Sequence, residues 1–333
     1  MRLRPGFEVF WRQPGVSQLG IDPRCAVVLE GLSDAEQRLV EEVPRALDAS
    51  VLRERGNQLG LPGRQIQRLV ERLRAANLLT DRPHGCDEGP DAAYWHRAAA
   101  SGVERPADRS GTVVEVRGMD RLGLRLALIA AEAGVGTVLV RDGGRVRPED
   151  VSPGLYHPRD VGHPRERAAL SILRTAAPHL RVSAPEGIRP DLVVLVHRDV
   201  VDPVPVRALM REDVTHLCVV VGELGLTVGP LVRPGLSVCT RCLDLYRCEH
   251  DDRWPAVATQ AAARVPAGPE TSLAWAGAAL AAQMLLAHAD GRKVLVDGST
   301  LELTAWEPVP VERRWHPHPE CGCTSATLVR ARD

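Results

Sequence analysis

Four cysteines in the last third of the chain form two closely spaced pairs that are suited to bind one metal ion. Cys239 and Cys242 are separated by two residues, and Cys321 and Cys323 by one residue. A short spacing lets one turn of backbone direct two thiolates at the same ion, and two such turns complete a tetrahedral zinc site with Zn–S distances of about 2.3 Å. A closed set of four thiolates leaves no position for water, so we predict a structural zinc that stabilises the fold.

Three other residues lie close enough in sequence to replace one of these ligands. Cys248 and His250 follow the first pair, and His318 precedes the second. The segment 248–252 also offers a cysteine, a histidine and two carboxylates, which can act in nucleophilic catalysis but in a polar loop are more often solvated. The remaining alternative is that the four cysteines stay reduced without a metal. The other cysteines follow no pairing pattern, which disfavours a disulfide framework.

The composition is that of a globular protein without a strong electrostatic preference. Its 333 residues are 44% hydrophobic, and 42 basic residues are balanced by 43 acidic ones, for a net charge of −1. This balance disfavours binding to nucleic acid or to an anionic membrane. The first residues lack the apolar region of a signal peptide, and the apolar run 272–289 is interrupted by Gln283 and His288, so we expect a buried helix and a cytoplasmic protein.

The first 82 residues have the pattern of a winged helix-turn-helix domain, an α+β unit in which a small sheet precedes three helices. Short strands are expected at residues 8–12, 16–21 and 26–29. Ser33 and Glu36 have the spacing of a capping box, which starts a helix that continues to Val43. Further helices are expected at residues 50–59 and after Pro62. Residues 83–110 are rich in proline, glycine and charge, which indicates a linker with one short helical piece near residues 92–99.

A three-stranded sheet of this kind has an edge of unpaired amide and carbonyl groups, to which an extended peptide can add as a further strand. We assign this edge to Cys25, Ala26, Val27, Val28, Leu29 and Glu30. The third helix supplies the polar residues Arg64, Gln67, Arg68, Arg72 and Arg74. Guanidinium groups suit an acidic peptide, although helix arginines commonly form only a solvated face. The alternative for this unit is DNA binding by the third helix, which the neutral total charge disfavours.

From Gly111 onwards the chain alternates between apolar strands and helices. Strands are expected at residues 113–116, 137–140, 192–196 and 217–221, and helices at residues 122–133, 164–177 and 205–212. This alternation predicts a parallel, doubly wound α/β sheet. Gly118 and Gly123 fall between the first strand and the first helix, where such a fold presents a phosphate-binding loop. Asp120 takes the place of the middle glycine and would put a carboxylate near the bound phosphates.

These residues and several later segments carry a family resemblance over residues 111–325. The glycine loop, the segments at 133–136, 138–142, 160–164 and 228–230, and the paired cysteines follow the order found in ThiF/MoeB-type adenylyltransferases, which are relatives of the ubiquitin-activating enzymes. The resemblance implies a Rossmann-like fold that binds ATP and Mg²⁺ at the glycine loop. Asp142 then matches the aspartate that holds the ribose, and Arg165 stands at the position of a phosphate-binding lysine.

Other positions depart from the family pattern. Gly144 replaces the second acidic residue of an Asp-x-Asp pair, residues 150–153 replace a segment that carries an arginine finger, and Arg198 replaces the aspartate that holds Mg²⁺. Loss of one electrostatic group typically costs a factor of about 10² to 10³ in rate, and such losses compound. We therefore predict a catalytically silent domain in which Asp142 and Arg165 bind a nucleotide or are ordinary solvated charges. The alternative is an active adenylyltransferase that activates the C-terminus of a sulfur carrier or ubiquitin-like protein.

The whole chain resembles the leader-peptide-binding partner proteins of azole-forming (TOMM) cyclodehydratases. These proteins join a PqqD-like winged helix to a degenerate ThiF-like domain ending in His-Pro-x-Cys-Gly-Cys, which here spans residues 318–323. The resemblance implies that residues 1–82 recognise a ribosomal precursor peptide and that residues 111–333 form a zinc-braced scaffold. A separate YcaO-type enzyme would act in trans. Relatives of this fold commonly pair through the ThiF-like domain, so a homodimer is also expected.

Overall fold

The computed structural model describes residues 2–45, 49–81, 91–104, 106, 108–264, 267–307 and 309–324 of the chain. This part of the chain groups into two units, Met1–Pro106 and Ala107–Asp333. The boundary between the two units falls within the segment that the sequence indicates as a linker. Cys86, which the sequence leaves without a pairing pattern, lies outside the described residues.

The described residues of the first unit form a three-stranded antiparallel sheet, a two-stranded sheet and four α-helices. Its elements in chain order are β1 (Arg2–Leu3), β2 (Val9–Gln13), β3 (Val16–Leu19), β4 (Val27–Leu29), α1 (Asp34–Glu42), α2 (Ala49–Gln58), α3 (Gly63–Ala75), β5 (Leu79–Thr80) and α4 (Ala92–Ala100). The larger sheet has the order β2-β3-β4, so β4 is an edge strand, and β1 pairs with β5. The three predicted strands and three predicted helices are present, with bounds close to those expected.

Local sequence signals account for two of these helices. The Ser33 hydroxyl accepts a hydrogen bond from the Glu36 amide at 3.3 Å, and the Glu36 carboxylate accepts one from the Ser33 amide at 2.8 Å, which completes the predicted capping box of α1. In α3, Ile66, Leu69 and Leu73 recur at helical spacing and are buried in the core of this unit. The opposite face of α3 carries its polar residues.

Helix α4 lies inside the segment that the sequence indicates as a linker. The Asn77 side-chain amide donates a hydrogen bond to the Ala99 carbonyl oxygen at 2.7 Å, and Ala100 packs against the core of the first unit. The short helical piece expected in this segment is therefore packed onto the first unit.

The described residues of the second unit form one seven-stranded sheet with six α-helices. Its elements are β6 (Val113–Arg117), α5 (Arg121–Glu132), β7 (Thr137–Arg141), α6 (Arg165–Ala176), β8 (Leu192–Arg198), α7 (Pro203–Arg211), β9 (His216–Val221), β10 (Gly225–Val232), α8 (Thr240–His250), α9 (Trp254–Ala262), α10 (Thr271–Ala289), β11 (Ser299–Thr304) and β12 (Val311–Arg314). The strand order is β12-β11-β10-β9-β8-β6-β7. Strands β6 to β9 are parallel, as the alternation of strands and helices predicts.

The sheet is mixed, which corrects the prediction of a parallel sheet. Strand β10 pairs antiparallel with β9, and β11 and β12 continue the antiparallel half. Gly229 and Pro230 interrupt the pattern of β10, and the register shifts between Val228 and Leu231. Proline is rare inside a sheet, so Pro230 obscures the strand pattern of β10. All four residues of β12 are exposed, so β12 lacks the alternation of buried and exposed residues that identifies a strand.

Helix α10 is the apolar run that the sequence predicts as a buried helix. Among the described helices, it alone is long and apolar enough to cross a membrane by length and composition. Half of its apolar stretch is buried inside the protein, and Leu273, Ala281 and Leu285 belong to the core of the second unit. A core helix passes the same length and composition test, and the packing of α10 against α5 and β10 identifies it as one.

Candidate functional site

A cavity of about 340 Å³ opens at the carboxyl ends of β6, β7 and β8. The neighbours of β6 in the sheet are β7 on one side and β8 on the other, so this is the topological switch point at which open α/β sheets bind ligands. Four of the five predicted nucleotide-site residues line the cavity, and the fifth, Gly123, is buried in α5. The charged residues of the lining are Arg117, Asp120, Arg141, Asp142, Arg147, Glu149, Asp150, Arg165, Arg198 and Asp202.

Close packing of the turn between β6 and α5 requires both glycines of the predicted loop. Gly118 has a φ of +95°, and a Cβ atom there would lie 2.7 Å from the Val196 carbonyl oxygen. A Cβ atom on Gly123 would lie 1.9 Å from the Gly118 carbonyl oxygen. Both positions therefore exclude a side chain, which gives these glycines a structural role that does not depend on a nucleotide.

Asp120 is the N-cap of α5, and its carboxylate lies at the helix N-terminus, the end of a helix that attracts anions. Its Oδ1 atom accepts hydrogen bonds from the amides of Leu122 and Gly123 at 2.8 and 3.0 Å. Its Oδ2 atom pairs with the guanidinium of Arg198 at the end of β8. Arg198 also donates to the Ala267 carbonyl oxygen at 3.1 Å. A side chain of the protein itself thus neutralises the positive end of α5.

Asp142 and Arg165 belong to a buried network of charges. Asp142 accepts hydrogen bonds from the Met119 amide at 2.6 Å and from the Gly144 amide at 2.7 Å. The Arg165 guanidinium lies 3.0 Å from the Asp142 carboxylate and 3.0 Å from the Asp150 carboxylate. Burial raises the pKa of the Asp150 carboxyl, although its hydrogen bonds and Arg165 oppose the rise. Each of these three charged side chains is at most 12% exposed. Asp142 and Arg165 are therefore not ordinary solvated charges.

Sequence reasoning did not single out Arg117, Arg141 and His197, which line the same cavity. Arg117 ends β6 and Arg141 ends β7, and their guanidinium groups lie 2.8 and 3.7 Å from the buried Glu115 carboxylate. His197 lies near the end of β8, where burial lowers its pKa to about 4. Since the carboxyl ends of parallel strands meet at one edge of a sheet, the residue that directly follows each predicted strand was the signal that locates them.

The four predicted cysteine ligands form one cluster. The sulfur atoms of Cys239, Cys242, Cys321 and Cys323 all lie within 4.8 Å of one another, and three of their separations are 3.9, 3.5 and 3.4 Å. A tetrahedral site with Zn–S distances of about 2.3 Å has sulfur separations of about 3.8 Å. The contact between the sulfur atoms of Cys239 and Cys242 lowers the pKa of the Cys242 thiol to about 4 and raises that of the Cys239 thiol. Burial raises the pKa of the Cys323 thiol, and a metal binds all four as thiolates. The cluster can hold one metal ion such as zinc.

The structure assigns other roles to the alternative ligands. The His318 Nε2 atom lies 2.9 Å from the Glu249 carboxylate, and the His318 backbone amide donates to the Cys242 sulfur at 3.3 Å. His318 therefore orients a ligand without being one. In the described part of the chain, Cys248 and His250 do not join the cluster.

Strand β4 presents a free edge at Val28. The Gly20 amide donates to the Glu8 carbonyl oxygen at 3.0 Å, so the main-chain groups of Gly20 point toward β2. Because main-chain groups alternate in direction along an antiparallel strand, Gln18 then directs its amide and carbonyl toward β2. Val28 lies opposite Gln18, so its own amide and carbonyl point away from β3. Val28 is 38% exposed, which leaves this part of the edge accessible.

The free edge is shorter than the predicted segment because its ends have partners. The amides of Cys25 and Ala26 donate to the Asp22 carbonyl oxygen at 2.9 and 2.7 Å. The Glu30 carbonyl oxygen accepts a hydrogen bond from Arg72 of α3 at 2.8 Å. Only the middle of the predicted edge, Val27–Leu29, is a strand.

The five predicted residues of α3 lie on two faces of the helix. Arg72 faces β4, because it bonds to the residue that follows this strand. Arg64 and Arg68 precede it at intervals of four residues and so continue the same stripe. Gln67 and Arg74 lie on the side of α3 that faces α2, where they line a separate cavity. The structure does not bring all five residues to the β4 edge.

No protein-family model matches the chain, and no curated protein matches it. Solved structures do match over almost its whole length. The microcin C7 biosynthetic enzyme MccB in complex with N-formylated MccA is similar at a TM-score of 0.68 and 15% identity, over 97% of this chain and 99% of that chain. The chain has a ThiF-like fold. Residues 107–333 are accordingly called the ThiF-like unit below.

Two further structures resemble this ThiF-like chain to the same degree. Escherichia coli MccB with ATP has a TM-score of 0.65 at 14% identity, over 97% of this chain and 98% of that chain. PaaA has a TM-score of 0.65 at 15% identity, over 93% of this chain and 98% of that chain. At these identities the likeness establishes the fold alone.

Proposed function

We propose that this chain is a non-catalytic scaffold that binds an extended precursor peptide and presents it to a separate modifying enzyme of the YcaO type. The ion pair between Asp120 and Arg198 carries the proposal. It fills the anion site of the glycine loop with groups of the protein, whereas an active adenylyltransferase needs that site for the phosphates of ATP. The chain would keep the ThiF-like fold without its chemistry.

The charge balance of the cavity supports a silent site. Five arginines and five carboxylates line it, so its formal charge is zero. Adenylyl transfer needs cations that neutralise the charge developing on the phosphates. Arg165 cannot serve in this way without leaving Asp142 and Asp150, the two buried carboxylates that it holds at 3.0 Å.

The position of Arg198 supports the same conclusion for the metal. In the ThiF family pattern, this position belongs to the aspartate that holds Mg²⁺. A guanidinium repels a divalent cation and offers it no oxygen ligand. The cavity therefore lacks the acidic ligand through which Mg²⁺ would join a nucleotide at the end of β8.

The peptide part of the proposal rests on the free edge of β4. Val28 offers an outward amide and carbonyl for strand addition, and Arg72 supplies a guanidinium beside this edge. The matched MccB structures include complexes with MccA. The first unit would thus act as a PqqD-like recognition element for a ribosomal precursor peptide.

Residence in the cytoplasm and pairing of two copies through the ThiF-like unit belong to the same proposal. Light scattering of the purified chain measures whether two copies pair.

The peptide proposal is tested with peptides selected from a random twelve-residue library that is displayed on phage against the full chain. Val28→Pro removes the outward amide without removing a bond to β3, so we expect the selected peptides to bind this variant about tenfold more weakly. Val28→Thr keeps the amide and the branched side chain and should bind like the original chain. Equal binding by the proline variant would contradict strand addition at β4.

A second candidate function is ATP-dependent activation of the C-terminal carboxylate of a small protein. The cavity of about 340 Å³ at the switch point favours it, as does the matched MccB structure with ATP. Calorimetric titration with Mg²⁺ and ATP, together with an assay for pyrophosphate release, separates the two functions. We expect neither tight binding nor turnover, and turnover would establish the enzyme instead.

A further inference from the structure

A second cavity, of about 310 Å³, lies between α2 and α3 in the first unit, on the side of α3 away from β4. The two helices approach closely at Gly56, where a Cβ atom would lie 2.5 Å from the Ile66 side chain. The cavity opens beside this close contact. Ile66 and Val70, which are 2 and 6% exposed, contribute its apolar surface.

The rim of this cavity is polar and carries two positive charges. Arg53 and Asn57 of α2 lie on one side, and Gln67 and Arg74 of α3 lie on the other. The Gln67 side-chain amide donates a hydrogen bond to the Glu71 carboxylate at 2.9 Å. The rim thus joins two guanidinium groups and two side-chain amides above an apolar floor.

The start of α3 adds to the positive character of the site. Gly63, the first residue of the helix, also lines the cavity. It follows Pro62, whose side chain has no oxygen that could cap the amides of the first turn. These amides carry the partial positive charge of the helix N-terminus, which favours an anionic group nearby.

We propose that this cavity binds a carboxylate side chain of the precursor peptide together with an adjacent apolar side chain. The carboxylate would pair with Arg53 and Arg74, and the apolar group would rest on Ile66 and Val70. This proposal rests on the proposed peptide-binding function and adds a second contact to it. The exposed arginines Arg64 and Arg68 lie between the β4 face and the cavity face of α3, and the exposed Glu71, which accepts a hydrogen bond from Gln67, lies beside them.

The test uses the full chain and the same peptides selected from the random twelve-residue library. Arg53→Gln and Arg74→Gln each remove one rim charge, and we expect each to weaken binding about fivefold, the effect of a partly exposed ion pair. Arg55→Gln is the matched control, since Arg55 is an exposed arginine of α2 that does not line the cavity and bonds instead to Gln58 at 3.0 Å. The selected peptides should be enriched in acidic residues next to apolar ones.

Each result decides between the two proposals. Loss of affinity in Arg53→Gln and Arg74→Gln, with Arg55→Gln unchanged, supports the cavity as a peptide contact. Unchanged affinity in both cavity variants, with weaker binding by Val28→Pro, overturns the cavity and leaves strand addition standing. A library that yields no binding peptide overturns the peptide-binding function and the cavity with it.

Discussion

The carboxylate of Asp120 and the guanidinium of Arg198 form an ion pair that joins the start of α5 to the end of β8. The two side chains are 8 and 18% exposed, so the pair is largely shielded from water. Asp120 also accepts the hydrogen bonds of the Leu122 and Gly123 amides. The chain thereby places one negative and one positive group of its own at the N-terminus of α5, the end of a helix that attracts anions.

Removal of the Asp120 carboxylate should open the anion site. Asp120→Gly frees two amides and the Arg198 guanidinium, so we expect pyrophosphate to bind at least about tenfold more tightly, since hydrogen bonds to charged groups contribute about 1.5 to 3 kcal/mol. Calorimetric titration measures the change. Asp202→Asn is the control, because it removes another carboxylate of the cavity lining without freeing the α5 amides. Equal binding by Asp120→Gly and the original chain would show that the pair does not block the site.

The charge network around Arg165 should be essential for stability. Arg165→Gln leaves the buried carboxylates of Asp142 and Asp150 without their cation, and we expect the free energy of unfolding to fall by about 3 to 5 kcal/mol. Urea denaturation followed by circular dichroism gives this value. Arg167→Gln, an exposed arginine in the same helix, should change stability little. A similar small effect in both variants would contradict the network as described.

The stability of the chain should decrease as the pH falls from 6.5 to about 4, in part because of His197. Burial lowers the pKa of His197 from 6.5 to about 4, so the unfolded chain binds more protons than the folded chain in this window. The contribution amounts to about 3 kcal/mol at neutral pH and is lost below pH 4. His197→Gln cannot titrate and should flatten this part of the pH dependence, whereas His163→Gln, at an exposed position, should leave the slope unchanged. An identical slope in all three proteins would exclude His197 as the source.

The cysteine cluster should bind one zinc ion per chain. Cys242→Ser removes a ligand, so we expect the purified variant to lose its zinc and to unfold at a lower temperature. Atomic absorption and thermal unfolding measure the two effects. Cys248→Ser lies on the same helix but outside the cluster and should keep both the metal and the stability of the original chain. Full retention of zinc by Cys242→Ser would contradict the four-cysteine site.

Signals that act within a few residues were predictable from the sequence. The spacing of Ser33 and Glu36 located the start of α1, and the short intervals between cysteines located the metal cluster. The apolar run of α10 and the alternation of strands and helices up to β9 were also predicted. Each of these signals lies within one short segment: a capping interaction, a short cysteine interval, or the length and order of apolar runs.

Relationships between distant residues could not be derived in the same way. Asp120 and Arg198 are 78 residues apart in sequence, and they meet only because β8 pairs with β6. The ion pairs of Arg165 with Asp142 and Asp150 likewise depend on how the chain folds back after β7. In α3, by contrast, helical periodicity alone could have separated Arg74 from Arg72, because residues two positions apart point to nearly opposite sides of a helix.

A metal ion in the cysteine cluster would close a large part of the ThiF-like unit into a ring. Cys239 and Cys321 are 82 residues apart, and α8, α9, α10, β11 and β12 lie between them. Ring closure of this length restricts the unfolded chain, so the bound metal and the order of the enclosed elements stabilise each other. The affinity for zinc then reports on the stability of the antiparallel half of the sheet. A substitution that destabilises β11, which contributes no ligand, should weaken zinc binding.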